Sequence, residues 1–142
     1  METLEKFLTP APPETVWQIL ADVEHWKDWT PTILDITPLT NEGLRVGARY
    51  RVTQPGLRPA VYEVTACTPN QSFTWVQQLP GGELIADHRI ATRDGATEVE
   101  LSFSSRGLLA NIATMPFAKK TRQSVATEAR CLKAKCDATL KV

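Results

Sequence analysis

The chain has 142 residues, of which 42% are hydrophobic and 23% are charged, a composition typical of one folded globular domain. We therefore predict a single domain over residues 1–142. Sixteen basic residues balance sixteen acidic residues, which gives a formal net charge of zero. Because phosphate binding needs a surplus of lysine and arginine, this balance argues against nucleic acid as the main partner.

The sequence predicts no membrane span, no export and no disulfide. The longest apolar stretch, residues 108–118, is interrupted by Asn111, Thr114 and Pro116, and it is well short of the roughly 20 apolar residues that cross a bilayer. Charged residues occupy the N-terminus, where a signal peptide would be apolar. Three cysteines at irregular spacing are expected to be reduced thiols, so we predict a cytoplasmic protein.

The N-terminal part of the chain predicts a strand followed by two short helices. Residues 3–9 form the expected strand, which ends at a run of prolines. Pro13 and Glu14 suit the first turn of a helix, and apolar residues then recur at helical spacing over residues 16–23. A second, shorter helical turn is expected at residues 25–29.

Six extended segments separated by turn residues occupy the middle of the chain. They span residues 33–39, 48–54, 60–67, 72–78, 83–92 and 97–105. The short connections between successive segments predict antiparallel hairpins. One connection, Gly81-Gly82 after Pro80, is expected to be either a plain turn or the hinge of a lid.

The C-terminal part predicts a long helix from Gly107 to about Leu140, with a kink or break at Pro116. Its apolar positions lie close to one stripe and are Ile112, Met115, Val125, Ala129, Leu132 and Cys136. Only the sheet can cover this stripe. We therefore predict an α+β fold in which a curved antiparallel sheet of about seven strands wraps around the C-terminal helix, with two short helices between the first two strands.

Several segments of the sequence resemble one known family. They are VWQILADVEHWKDWTP, LRVGARYRVTQPGLRPAVYEVT, FTWV, HRI and TEARCLKAKC. Together they are similar to the polyketide cyclase/dehydrase-like branch of the START-like (SRPBCC) superfamily, whose members include aromatic cyclases, lipid carriers, hormone receptors and chaperone activators. The resemblance covers essentially the whole chain. It implies the helix-grip fold, with a deep and mostly apolar cavity between the sheet and the last helix.

Side chains alternate between the two faces of each predicted strand. The charged positions are expected to face water, and the opposite positions are expected to face the last helix. The inward set is Ala48, Tyr50, Val52, Gln54, Ala60, Tyr62, Val64, Ala66, Phe73, Trp75, Gln77, Leu84, Ala86, His88, Ile90, Val99, Leu101, Phe103 and Ser105.

Polar groups interrupt this inward set. A dry core loses roughly 1–3 kcal/mol for each polar group left without a partner, so several of them on one face fit a hollow that holds water or a guest. The candidate ligand-binding residues are Tyr50, Gln54, Tyr62, Trp75, Gln77, His88 and Phe103. The alternative is that both glutamines reach solvent at strand ends and both tyrosine hydroxyls point outward.

The aromatic and histidine residues have distinct expected roles. Trp75 offers a flat wall to a ligand, and His88 is either a satisfied core histidine or the only candidate acid/base for catalysis. Trp26 and Trp29 are expected to pin the short helices onto the sheet, with the cavity mouth as an alternative place for Trp29. His25 is expected at the surface. No metal site or cofactor is predicted, because the sequence lacks clusters with ligand spacing and glycine-rich phosphate motifs.

Three functional hypotheses follow. The first is a protein that binds a hydrophobic or aromatic small molecule, such as a lipid or a polyketide-like compound, in the central cavity. The second is a cyclase/dehydratase-type enzyme acting on a reactive carbonyl chain, with His88 as acid/base and with Tyr50, Tyr62 and Gln54 as hydrogen-bond partners. The third is a protein-interaction module that uses the same groove. An exposed edge strand could also support a homodimer.

Overall fold

The protein, seen in a computed structural model, is described over residues 1–140, so the last two residues of the predicted domain lie outside the described range. Its strands are β1 (Glu2–Thr9), β2 (Asp35–Pro38), β3 (Arg49–Thr53), β4 (Ala60–Thr68), β5 (Ser72–Leu79), β6 (Gly82–Arg93) and β7 (Ala96–Arg106). Over this range they form one antiparallel sheet in the order β1-β7-β6-β5-β4-β3-β2. The first two strands of the chain therefore lie at opposite edges of the sheet.

Helices cover one face of this sheet. They are α1 (Pro13–Ala21), α2 (Leu108–Thr114), α3 (Ala118–Ala138) and the short 3₁₀ helices Val23–Asp28 and Met115–Phe117. The order of elements, with two short helices between β1 and β2 and a long helix at the C-terminal end, confirms the predicted α+β helix-grip fold. None of the helices in residues 1–140 combines the length and the hydrophobicity that a membrane span requires.

The two short helices after β1 are fixed by buried side chains. Pro13 fits the first turn of α1, where its missing N–H is not needed, and Val16 and Leu20 are fully buried one turn apart. The Trp26 indole Nε1–H donates a hydrogen bond to the Leu20 carbonyl over 2.9 Å. The Trp26 ring also lies 5.6 Å from that of Trp29, so these two tryptophans hold the 3₁₀ helix in place.

The C-terminal helix is broken at Pro116, as predicted, and the break changes which residues face the sheet. A proline has no backbone N–H and its ring clashes with the preceding turn, so the chain forms the 3₁₀ helix Met115–Phe117 before α3 begins. Ile112 and Met115 were predicted on the buried stripe, but they are 54% and 69% exposed. This part of the prediction is wrong because the stripe of α3 does not continue onto a separate helix. α3 also ends two residues earlier than predicted.

A β-bulge in β4 moves one predicted inward residue to the surface. The register between β4 and β5 shifts between Val64 and Ala66, and such an extra residue reverses the alternation that follows it. Ala66 is therefore exposed, contrary to the prediction, and Cys67 packs against the core instead. β2 is also shorter than predicted, with four residues instead of seven.

The concave face of the sheet brings together residues from neighbouring strands. Trp75 on β5 is opposite Ala86 on β6, which is opposite Phe103 on β7. Phe73 is opposite His88 in the same pair of strands. Because directly opposed residues of antiparallel strands share a face, all of these side chains point to the side of the sheet that α3 covers.

The turn between β5 and β6 packs tightly against the start of α2. Gly81 has a φ of +73°, in the left-handed region that favours glycine. A Cβ atom at Gly82 would overlap the Arg106 carbonyl oxygen and the Ala110 side chain. Both glycines are thus held against α2, and neither lines the cavity beneath α3. This arrangement favours a plain turn over a lid hinge.

Candidate ligand-binding cavity

A cavity of about 470 Å³ lies between the concave face of the sheet and α3. Most of its wall comes from strands β3 to β7, from the first half of α3, from the loop after the first 3₁₀ helix and from the β3–β4 loop, and the two 3₁₀ helices and α2 contribute one residue each. Small-molecule sites usually have volumes of roughly 300–1,000 Å³. The hollow is therefore large enough for a small aromatic or aliphatic guest.

The cavity exists because the inward face of α3 changes character halfway along the helix. In the second half, Ala129, Leu132 and Cys136 recur at helical spacing and are buried in the core. In the first half the same face carries residues that line the cavity, namely Thr121, Ser124, Val125 and Glu128. These side chains are mostly small, so they leave space between the helix and the sheet.

Six of the seven predicted site residues line this cavity. They are Gln54, Tyr62, Trp75, Gln77, His88 and Phe103. Tyr50 faces the same side of the sheet but does not line the cavity. It is 3% exposed, and its ring centroid lies 5.9 Å from that of Trp75, so it supports the wall from outside.

Aromatic rings form a continuous wall around Trp75. The ring centroids of Tyr62, Phe73 and Trp26 lie 5.3, 5.4 and 5.5 Å from that of Trp75, with the tilted or edge-to-face geometry of favourable aromatic pairs. Trp26, which the sequence assigned to packing alone, also lines the cavity. Trp29, for which the mouth was the alternative place, does not line it.

His88 is a neutral hydrogen-bond acceptor toward the cavity. Its ring stacks on that of Phe73 with 4.1 Å between centroids, and Nδ1 lies 3.1 Å from the Phe73 carbonyl oxygen. Since a carbonyl only accepts, Nδ1 carries the proton and Nε2 keeps its lone pair. Burial lowers the pKa of His88 to about 4. Within residues 1–140 Nε2 has no hydrogen-bond partner, so it is available to a guest.

Glu128 is a candidate functional residue that the sequence analysis missed. Its side chain lines the cavity from α3, and burial raises the pKa of its carboxyl to about 7. The Thr32 hydroxyl lies 3.5 Å from Glu128 Oε2 and favours the charged form. Burial raises the pKa of Tyr62, and the nearby Glu128 charge raises it further. The cavity therefore contains a carboxyl group that changes charge near neutral pH.

One signal in the sequence points to Glu128. It lies three residues after Val125 and one turn before Leu132, so on a helix it shares the face that those apolar residues occupy. A carboxylate inside an apolar stripe is costly to bury without a partner. Such a residue is therefore a candidate for a site, provided that the stripe covers a hollow and not a solid core.

We predict that the substitution Glu128→Gln stabilises the protein at pH 8 and leaves its stability unchanged at pH 4.5. The folded-state pKa of Glu128, about 7, is above its ordinary value of 4.5. The folded state therefore keeps a proton that the unfolded state has released, and stability is lost as the pH rises from 4.5 through 7. At about 1.4 kcal/mol per pKa unit, reduced because the side chain is partly accessible from the cavity, the expected gain is about 1–3 kcal/mol.

Urea unfolding at the two pH values measures this effect. Glu63→Gln is the matched control, because Glu63 is exposed on β4 and does not line the cavity, so the same change there should not reproduce the gain at pH 8. His88 changes the pH dependence of stability in the opposite direction, because a lowered histidine pKa means that stability is lost as the pH falls from 6.5 to 4. This effect is the same in the unchanged protein and in both variants, so it cancels in the comparison. An equal effect of Glu128→Gln at both pH values would contradict a buried carboxyl.

The mouth of the cavity lies between the β3–β4 loop and the start of α3. The exposed residues among those that line the cavity are Pro31, Pro55, Leu57, Arg58, Phe117 and Lys120. The Lys120 ammonium donates a hydrogen bond to the Pro55 carbonyl over 3.3 Å, so one contact bridges the two sides of the mouth. A guest that enters here passes apolar side chains and two positive charges before it reaches the aromatic wall.

Other candidate residues lie away from the cavity. His25 is exposed, and its Nδ1 lies 2.8 Å from an Asp22 carboxylate oxygen, which raises the pKa of the imidazole. In the described part of the chain, no group of three or more His, Cys, Asp and Glu residues is placed to hold a metal ion.

The chain matches a model of one protein family. The family is described as "Polyketide cyclase / dehydrase and lipid transport", and the match covers residues 5–137. No curated protein matches the sequence significantly.

Solved structures with the same architecture cover nearly all of the chain at low sequence identity. TTHA0849 from Thermus thermophilus has a TM-score of 0.77 at 17% identity, over 99% of this chain and 100% of that one. The Zhui aromatase/cyclase from Streptomyces sp. R1128 has a TM-score of 0.75 at 15% identity, over 100% and 96%. Ara h 8.0201 has a TM-score of 0.70 at 12% identity, over 97% and 98%. At these identities the likeness establishes the fold.

Proposed function

Because the chain belongs to the polyketide cyclase/dehydrase and lipid transport family, we propose that it binds a hydrophobic or aromatic small molecule beneath α3. One observation carries this proposal: a cavity of about 470 Å³, lined mainly by aromatic and aliphatic side chains, has exposed residues at its mouth. A lipid or a polyketide-like compound has the required chemistry. Binding of such a guest would bury apolar surface, which is the main source of affinity in a site of this kind.

The polar groups of the cavity suggest how a guest is oriented. The wall formed by Trp75, Tyr62 and Phe103 would contact its apolar body. The free Nε2 of His88 and the Glu128 carboxylate both accept hydrogen bonds, so they favour a guest that carries hydroxyl or N–H groups. Gln54 and Gln77 each offer a donor and an acceptor and would tolerate a carbonyl; they line the same cavity.

Binding of N-phenylnaphthylamine, a fluorescent apolar amine, tests the proposed function. We expect its fluorescence to rise on binding and the protein to melt at a higher temperature in its presence. A ligand at one hundred times its dissociation constant adds about 2.7 kcal/mol of stability. Native mass spectrometry of the purified protein would identify a guest retained from the cell. If the protein binds neither this probe nor any member of a panel of fatty acids and polycyclic phenols, the proposal is wrong.

A second candidate function is cyclase/dehydratase catalysis on a reactive carbonyl chain. The observation in its favour is that His88 and Glu128, whose pKa values are both displaced toward the neutral form by burial, line the same cavity. Groups whose environments push their pKa values away from the ordinary ones are suited to acid/base roles. A poly-β-carbonyl thioester is the test substrate. If the protein is such an enzyme, His88→Gln and Glu128→Gln should each lower turnover by about 100-fold or more, and unchanged turnover in both would exclude this function.

We also propose the cytoplasm as the compartment. All three cysteines are free thiols, and Cys136 is buried in the core. Free thiols of this kind are typical of a reducing environment.

A further inference from the structure

The short helix α2 exposes its apolar side. Leu108, Ile112 and Met115 follow each other at intervals of four and three residues, so they share one face, and they are 75%, 54% and 69% exposed. Ala110 on the opposite side is 1% exposed and faces the protein. A helix at the surface of a protein normally has the reverse arrangement, with its apolar face inward.

This exposed face continues to the mouth of the cavity. Phe117, just beyond the helix, is 51% exposed and lines the mouth, and Leu57 on the other side of the mouth is 44% exposed. We name this surface the apolar rim; it comprises Leu57, Leu108, Ile112, Met115 and Phe117. Large contiguous apolar patches on a protein surface are typical of sites that bind a protein, a membrane or a ligand.

The charges beside the apolar rim are all positive over a long stretch of chain. Residues 107–127 contain no aspartate or glutamate, and they include Lys119, Lys120 and Arg122, all exposed. Among the described residues none of these three forms an ion pair. Arg58 adds a fourth exposed positive charge at the mouth. The surface thus combines apolar side chains with unpaired cations.

We propose that the apolar rim docks on the surface of a bilayer containing anionic phospholipids, with the mouth of the cavity facing the membrane. Apolar side chains on one face of a short helix with lysine and arginine beside them are the features of an interfacial helix, which lies in the headgroup region and does not span the bilayer. The cations would meet the negative headgroups. A hydrophobic guest, as the proposed function requires, could then pass between lipid and cavity without crossing water.

The charge pattern favours a membrane over a second copy of this chain. A two-fold dimer through the apolar rim would bring two copies of the same surface together, and residues 107–127 supply positive charges to that surface but no carboxylate that could pair with them. Like charges across an interface oppose association. An anionic surface has the complementary charge and requires no precise shape.

Sedimentation with lipid vesicles tests the docking. The full chain is mixed with vesicles of phosphatidylcholine alone or of phosphatidylcholine with phosphatidylserine, at low and high salt. We expect binding to the anionic vesicles that weakens as salt rises. The double variant Ile112→Glu/Met115→Glu should bind at least tenfold more weakly, and Lys119→Glu/Arg122→Glu should lose the preference for anionic lipid.

Val46→Glu is the matched control. Val46 is an apolar residue with 59% exposure, and it precedes β3, whereas the β3–β4 loop at the mouth of the cavity follows β3. Val46 therefore lies at the end of this strand away from the mouth. This variant should bind vesicles like the unchanged protein. The proposal is overturned if the unchanged protein stays in solution with both kinds of vesicle, if Ile112→Glu/Met115→Glu binds them equally well, or if this double change instead abolishes a dimer seen by analytical ultracentrifugation.

Failure of docking and failure of the proposed function give different results. Ile112 and Met115 do not line the cavity, so their substitution should leave the affinity for N-phenylnaphthylamine in solution unchanged. If the protein binds the probe normally but does not bind vesicles, the docking proposal is wrong and the proposed function stands. If the unchanged protein binds vesicles but does not bind the probe, the proposed function is wrong and docking is unaffected.

Discussion

Trp75→Ala is expected to lower the free energy of unfolding by about 3–5 kcal/mol and to abolish binding of N-phenylnaphthylamine. The Trp75 ring is 3% exposed and packs against the rings of Tyr50, Tyr62, Trp26 and Phe73. Removing the indole ring leaves a void among these side chains. It also removes the flat aromatic surface that lines the cavity. Urea unfolding and probe titration at a temperature where the variant is folded measure the two effects.

Two other substitutions separate the effect on binding from the effect on stability. Trp75→Phe keeps an aromatic wall, so it should retain measurable binding. Trp29→Ala removes a tryptophan that packs against Trp26 but does not line the cavity, so it should reduce stability and leave probe affinity unchanged. If folded Trp75→Ala bound the probe as tightly as the unchanged protein, the proposed position of the guest would be wrong.

The second large effect is expected from Ser124→Phe, which should weaken probe binding by at least about 100-fold, or about 2.7 kcal/mol. Ser124 lines the cavity from the first half of α3, where the small side chains leave the space open. A phenyl ring at this position would occupy the volume that a guest needs. Because the ring enters an existing hollow, the variant should remain folded with near-normal stability.

Gln123→Phe is the matched control for this substitution. Gln123 is the preceding residue of the same helix, is exposed and does not line the cavity, so the same change there should leave probe affinity intact. Equal loss of affinity in both variants would indicate an effect of the added ring on the helix and not on the cavity. Unchanged affinity in Ser124→Phe would place the probe elsewhere on the protein.

The fold could be predicted from the sequence because its signals are local. Turn residues separate the strands, apolar residues recur at helical spacing in the last helix, and Pro116 marks the break between α2 and α3. The errors arose where tertiary structure overrides a local pattern. The bulge in β4 reversed the faces on which Ala66 and Cys67 lie. No residue type in that strand predicts a bulge.

The cavity was predictable in outline but not in its walls. Alternation placed His88, Trp75 and Tyr50 on one face of the sheet, but only the structure shows that Tyr50 packs against Trp75 and does not line the cavity. Glu128 was missed because its role depends on how far α3 stands from the sheet at that point. A carboxylate at this position of a helix lies in a solid core if the helix is close to the sheet and faces a cavity if the helix is farther away. The sequence does not give the distance between the helix and the sheet.

The exposure of Ile112 and Met115 has the same origin. Along the sequence they continue the apolar stripe of α3, but the break at Pro116 turns α2 so that they face outward. A pattern typical of a buried helix thereby becomes an exposed surface, and this surface is the basis of the proposed docking.

A crystal structure of the protein grown with N-phenylnaphthylamine would show whether the space beneath α3 binds a guest. We expect the density of the probe between α3 and the sheet, with one ring on Trp75 and its N–H directed to His88 Nε2 or to the Glu128 carboxylate. Probe density outside this space, with side chains filling the volume beneath Ser124 and Glu128, would show that the protein has no binding cavity there.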